Sequence, residues 1–213
     1  MTKVLIVDDH PVILRGVRRI MEDAGVGTVH EATDIVAGYR LFHRLRPDIV
    51  VADLTFRTGA LSGLSLIRQI RALARETRIL AFSMHDDPVI VSRALESGAT
   101  GYVLKDVPAA QFHEAFEAVR AGRSYLPHAL ATRVAMLGLG ARRSPLADLT
   151  ARELQVLSLL GRGQSYQAIA DALAVSYRTV IGASAILRHK LGVRTLAELI
   201  HVAVSQDENG FGR

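Results

Sequence analysis

An α/β fold, a doubly wound five-stranded parallel sheet followed by a small all-α helix-turn-helix domain, is predicted by three observations. Two apolar runs, Lys3-Val4-Leu5-Ile6-Val7 and Asp48-Ile49-Val50-Val51-Ala52, are rich in β-branched residues, and they end in carboxylates at Asp8-Asp9 and Asp53. Such runs, without polar alternation, mark strands buried on both faces. Strand-like and helix-like stretches then alternate five times up to about residue 122, and from Leu149 the pattern is helical alone.

In the first half, Pro11 opens a helix through Ala24, with Val12, Leu14, Val17, Ile20 and Met21 as its buried stripe. Val26 to Ala32 reads as a strand and Val36 to Leu45 as a helix. The Asp48 to Ala52 strand follows, then a helix over Leu64 to Ala74. Arg78 to Phe82 is a strand ending at Ser83, and Pro88 to Glu96 a helix closed by Gly98. Thr100 to Leu104 is the last strand, ending at Lys105, and Gln111 to Ala121 is a helix stopped by Gly122.

A helical stretch over Ala129 to Leu137 leads into Gly138 to Leu146, where glycines, paired arginines, Ser144 and Pro145 read as a hinge. The expected organisation is a domain over 1–122, a linker over 123–144 and a second domain over 145–210. In that second domain Thr150 and Glu153 form a capping box for a helix ended by Gly161 and Gly163. Ser165 caps a helix through Leu173, Ser176 opens a third to Leu191, and Arg194 to Val204 gives a fourth. The tight turn Ala174-Val175-Ser176 describes a helix-turn-helix over about 166–185.

Composition narrows the function. The 213-residue chain has no cysteine, which excludes a disulfide framework and thiolate-held metal. No apolar run approaches the roughly 20 residues of a membrane helix, and Met1-Thr2-Lys3 leads straight into a strand; a cytoplasmic protein without a membrane partner is expected. The net charge is +5, and the basic excess falls in the last third, where an anionic partner such as nucleic acid is expected.

Carboxyl ends of parallel strands lie side by side, so Asp8, Asp9, Asp53, Ser83 and Lys105 should share one crevice. Three carboxylates so close call for a hard divalent cation, Mg²⁺ or Mn²⁺. A hydroxyl and an ammonium beside it suit the oxygens of a phosphoryl group, and the solitary carboxylate, Asp53, is best placed to accept one. Lysine occurs only at positions 3, 105 and 190 in an arginine-rich chain, so its compact charge at Lys105 is significant.

These residues, with Asp8-Asp9-His10-Pro11 and Gly101-Tyr102-Val103-Leu104-Lys105, resemble the receiver domain of two-component response regulators. The resemblance implies a flavodoxin-like sheet of order 2-1-3-4-5 and phosphoryl transfer from a histidine kinase to Asp53. Asp8, Asp9, Asp53 and the Thr55 backbone carbonyl would hold Mg²⁺; Ser83 and Tyr102 would be the switch pair, and Lys105 the phosphoryl-contacting lysine. The loop departs from the family: Arg57 stands in the place of a proline, and Thr58-Gly59-Ala60-Leu61-Ser62 make the approach to Gly63 about two residues longer. His85, two beyond Ser83, is expected to be exposed. An aspartyl-phosphate hydrolase of the haloacid-dehalogenase type would need a second aspartate at position 55, where threonine stands, so an enzyme is not expected.

Leu149-Thr150, Arg152-Glu153, Ile169-Ala170, Val175-Ser176, Thr179-Val180 and Lys190-Leu191-Gly192-Val193 resemble the LuxR-type DNA-binding domain. Both resemblances together imply a response regulator of the NarL/FixJ class. They imply a third helix in the major groove of double-stranded DNA, a homodimer on activation and RNA polymerase as a further partner. Phosphate anchoring is assigned to Ser165, Ser176, Tyr177, Arg178, Arg188 and Lys190, with Thr179 beside them. Ile181, Gly182 and Ala185 occupy the base-reading face but cannot form bidentate base contacts, and Gly182 costs the helix about 1 kcal/mol relative to alanine. Specificity is expected from thymine methyls or DNA shape. The alternative is a phosphorylation-independent regulator that works through protein contacts.

Overall fold

The computed structural model describes residues 2–56, 61–138 and 146–211, with side chains placed up to 137 and from 146 to 205 in the latter two segments. Its first part alternates strands and helices: β1 Lys3–Val7, α1 Pro11–Asp23, β2 Thr28–Ala32, α2 Ile35–Leu45, β3 Ile49–Asp53, α3 Gly63–Leu73, β4 Arg78–Ser83, α4 Pro88–Glu96, β5 Gly101–Leu104 and α5 Ala109–Arg120. All four strand pairings are parallel and the order is β2-β1-β3-β4-β5, as expected. β1 and β3 lie at the centre, and every residue of β3 is buried.

The remaining helices are α6 His128–Gly138, α7 Ala151–Gly161, α8 Tyr166–Ala172, α9 Tyr177–Leu191 and α10 Leu196–Phe211. Element types agree with the sequence reading, and the limits move little, save that α10 runs on past Val204 to Phe211. Residues 57–60 and 139–145, which carry the altered loop and the expected hinge, lie outside the described residues.

One stripe needs correction. Val12 is 72% exposed, and the inner face of α1 is Leu14, Val17 and Met21, with Ile13 and Ile20 half-buried. Val12 is only two residues from Leu14, about 200° around the helix, so it cannot share that face.

Gly63 shows why the segment after Asp53 closes as it does. A Cβ there would lie 2.0 Å from the Asp53 carbonyl oxygen and 2.6 Å from Leu54 Cα, so only glycine lets α3 start against the end of β3. Its backbone N–H donates to the Leu54 carbonyl at 3.1 Å, which fixes the return of the chain beside the site.

A single apolar cluster runs from one face of the sheet into α7 to α10. Polar ties reinforce it. Gln155 Nε2 donates to the Leu61 carbonyl at 3.2 Å and to Ser65 Oγ at 3.1 Å. The Arg93 guanidinium donates to the carbonyls of Ala147 (3.1 Å) and Leu149 (2.8 Å) from its Nη2. No single described helix is long and apolar enough to cross a membrane.

Candidate functional site

The sheet brings Asp8, Asp9, Asp53, Ser83 and Lys105 to one end, where all five side chains are buried. Lys105 Nζ lies 2.7 Å from Asp8 Oδ2 and 2.8 Å from Asp53 Oδ2. Its backbone N–H donates to the Ser83 carbonyl at 2.9 Å, so the β4–β5 pairing sets where the ammonium stands. Exposed His10 closes the other side, with Nδ1 3.0 Å from Asp8 Oδ1 and 3.0 Å from Asp9 Oδ1.

Three carboxylates and one ammonium leave a buried excess of negative charge. Asp53 shows the consequence: burial pushes its carboxyl up to about 6, opposed by the Lys105 charge and reinforced by that of Asp8. Asp8 Oδ2 and Asp53 Oδ2 are close enough to Lys105 for ion pairing, yet neither receives a well-directed hydrogen bond. Distance gives the Coulombic contact and alignment decides the hydrogen bond, so both statements hold together. One carboxylate oxygen from each of Asp8, Asp9 and Asp53, with His10, gathers within 4.8 Å. All-oxygen carboxylates with spare lone pairs fit a hard divalent cation.

Thr55 lines the same cleft of about 530 Å³, together with Asp53, His85, Lys105 and Arg162. Its backbone N–H donates to Asp53 Oδ1 at 3.1 Å, orienting the carboxylate. Tyr102 is fully buried, its hydroxyl donating to the His85 carbonyl at 2.7 Å, and the buried phenol is pushed well above its ordinary range. The backbone N–H of His85 in turn donates to Ser83 Oγ at 3.2 Å. Ser83 and Tyr102 thus meet through the backbone of residue 85.

His85 corrects the sequence reading, which had it exposed. Only 4% of it is accessible, and its Nε2 is 2.9 Å from Thr55 Oγ1. Burial lowers its pKa to about 4, and the charges of Arg162 and Lys105 act in the same direction, against Asp86. The Thr55–His85 pair had a signal in the sequence: both residues stand two places beyond a strand-end polar group. Arg162 had none, because it reaches the pocket from the helical part of the chain.

That helical part presents a second surface. Ser165 Oγ accepts from the Ala168 N–H at 3.2 Å and Ser176 Oγ from the Thr179 N–H at 3.1 Å, capping α8 and α9. Between them Ala174 takes a left-handed φ of 51°, and the two helix axes meet at 110°. Val180, Ser184 and Leu187 form the inner face of α9, and Ser184 Oγ is 2.7 Å from the Tyr166 hydroxyl. Tyr177, Arg178, Thr179, Ile181, Gly182 and Ala185 are exposed on its other side.

Two expected phosphate anchors are engaged within the domain. Lys190 Nζ lies 2.8 Å from Glu153 Oε2 and donates to the Asp148 carbonyl at 2.9 Å. Arg188 is half-buried and donates to the Arg194 carbonyl at 3.2 Å.

Comparison with known proteins finds a family for each part of the chain. The family described as the response regulator receiver domain matches residues 4–117, and that of the bacterial regulatory proteins, luxR family, matches residues 147–203. The methanol utilization control regulatory protein MoxX of Paracoccus denitrificans is 37% identical over 93% of this chain and 89% of its own. The virulence factors putative positive transcription regulator BvgA of Bordetella pertussis is 34% identical over 94% of this chain and 96% of its own. The structure of RcsB from Salmonella enterica serovar Typhimurium, bound to promoter rprA in the presence of the phosphomimetic BeF3−, superposes with a TM-score of 0.75 at 25% identity. It covers 95% of this chain and 98% of that one.

Proposed function

We propose a function from one premise: this chain belongs to the response regulators, with a receiver domain followed by a luxR-family DNA-binding domain. The receiver, residues 1–122, accepts a phosphoryl group at Asp53 from the phosphohistidine of a sensor kinase. An Asp53 carboxylate oxygen attacks phosphorus, the phosphorus–nitrogen bond breaks, and the histidine leaves as the neutral ring once protonated. The observation that carries this reading is the buried Asp8, Asp9, Asp53 and Lys105 cluster at the strand ends.

Asp8, Asp9, Asp53 and the Thr55 carbonyl would hold Mg²⁺, or Mn²⁺ in its place, which neutralises charge on the transferring phosphoryl oxygens. The Lys105 ammonium, already beside the Asp8 and Asp53 carboxylates, would contact those oxygens, and the Ser83 hydroxyl would turn toward them. The added negative charge redistributes the contacts of Ser83 and Lys105. Tyr102 and the His85 backbone carry that change to the end of α4, whose Arg93 grips the start of the 145–210 domain.

The output is regulation of transcription by a cytoplasmic homodimer on double-stranded DNA, with RNA polymerase as its further partner. α9 enters the major groove, and the exposed Ser165, Ser176, Tyr177, Arg178 and Thr179 anchor phosphates. Lys190 and Arg188 join them only after release from their present carbonyl and carboxylate partners. Selection from random double-stranded DNA, with and without acetyl phosphate and Mg²⁺, tests the whole reading. Enrichment of one sequence, strengthened by the phosphodonor, is expected. An Asp53→Asn variant with unchanged phosphodonor response would refute the mechanism.

A further inference from the structure

Glycine at 182 has no reason in the fold. It is not among the positive-φ residues, and a Cβ built on it meets nothing within 4 Å. Alanine would fit and strengthen the helix. The side chains around this gap are equally unexplained by folding. Ile181 is 42% and Ile186 48% exposed, and Ala185 is exposed too. The missing Cβ at Gly182 leaves a gap one methyl deep in the helix surface, a notch open to solvent, with these apolar residues at i−1, i+3 and i+4.

The charges stand at the ends of this surface rather than within it. α9 has no carboxylate, and Arg178 and Arg188 are ten residues apart, about 15 Å along the helix. That separation is comparable with the major groove width of about 12 Å, so phosphates would meet Arg178 at one end, and Arg188 at the other once it leaves the Arg194 carbonyl, while base edges meet the notch. Among base edges in that groove the one apolar feature is the thymine C5-methyl.

We propose that Gly182, with Ile181, Ala185 and Ile186 around it, is a thymine-methyl reader that specifies T·A pairs in the operator. The proposal rests on the DNA-binding reading above and selects direct apolar readout over shape. Gly182 supplies the depth for a methyl group to approach the helix backbone, and Ile181 and Ile186 bury it.

The test uses the full-length protein and the sequence it enriches from random double-stranded DNA, resynthesised with deoxyuridine replacing thymidine at single positions. Each replacement removes one methyl and leaves base pairing intact. At one or two thymines in each half-site, affinity should fall about fourfold, the loss expected for one buried methyl. Gly182→Ala should fill the notch and reduce the thymidine-over-deoxyuridine preference without lowering the melting temperature, and Ile181→Ala should reduce it as well. Arg178→Ala should weaken both DNAs equally. Equal affinity for thymidine and deoxyuridine at every position would overturn this inference and leave DNA binding standing. Enrichment of no sequence would overturn both.

Discussion

At the end of the sheet, three carboxylates and an ammonium are buried where the fold alone would favour neutral groups; on α9, isoleucines and a glycine are exposed where folding would favour polar residues and alanine. Both regions depart from what stability asks, in opposite directions. The pocket concentrates charge out of water, which is costly unless partners answer it. The helix leaves apolar surface in water, which has no use until something covers it. In each case, on the function proposed above, the departure marks where a ligand would sit, a phosphoryl group with its cation in one and a DNA groove in the other.

The largest effect that would break this contrast is at Lys105. Removing the ammonium by Lys105→Met leaves the buried Asp8 and Asp53 carboxylates without the cation that lies between them. In EDTA the variant should lose about 3–5 kcal/mol, as when one partner of a buried pair is removed. Urea unfolding measures it, and Mg²⁺ should restore much of the loss. A change below about 1 kcal/mol would mean that the charges are already answered by water, and the pocket would no longer be a place of strain.

Asp53 sharpens the same point through pH. Its folded pKa, about 6, lies above the ordinary 3.8, so the folded state binds the proton more tightly. Without a cation, its burial therefore costs stability above pH 6, and the cost disappears as pH falls toward 4. Asp53→Asn should be more stable than the wild type at pH 7 in EDTA by about 3 kcal/mol, and equal to it near pH 4. His85 runs the other way: its folded pKa near 4 is below the ordinary 6.5, so stability is present above pH 6.5 and lost as pH falls toward 4. His85→Gln should remove an acid-side loss of similar size, on the order of 3 kcal/mol, seen in urea midpoints at pH 7 and 4.5.

The pocket and most of the fold were legible in the sequence because both rest on short-range pattern. Continuous runs such as Val4 to Val7 and Ile49 to Ala52 have one use in a chain of this kind, and polar groups at their ends are placed by the sheet itself. His85 was misjudged for a reason that lies far away in sequence. It shares the lining of one cavity with Leu154, Leu157 and Ala203, so the surroundings of His85 include helices that arrive more than sixty residues later. Surface exposure assigned by composition fails where one part of the chain covers another.

The smallest expected effect belongs to the helix and decides whether the two regions share a logic. Gly182→Ala adds a methyl that meets nothing and lowers the entropy lost on helix formation. The variant should be more stable by about 0.5–1 kcal/mol, read as a higher urea midpoint with an unchanged slope. Asp53→Asn in the pocket should be stabilised as well, though by more. Two stabilising substitutions at two surfaces that differ in burial, charge and chemistry would then have one cause, a residue retained against the preference of the fold. If Gly182→Ala instead destabilises the protein, glycine serves the packing of α9, and the contrast with the acidic pocket loses its second term.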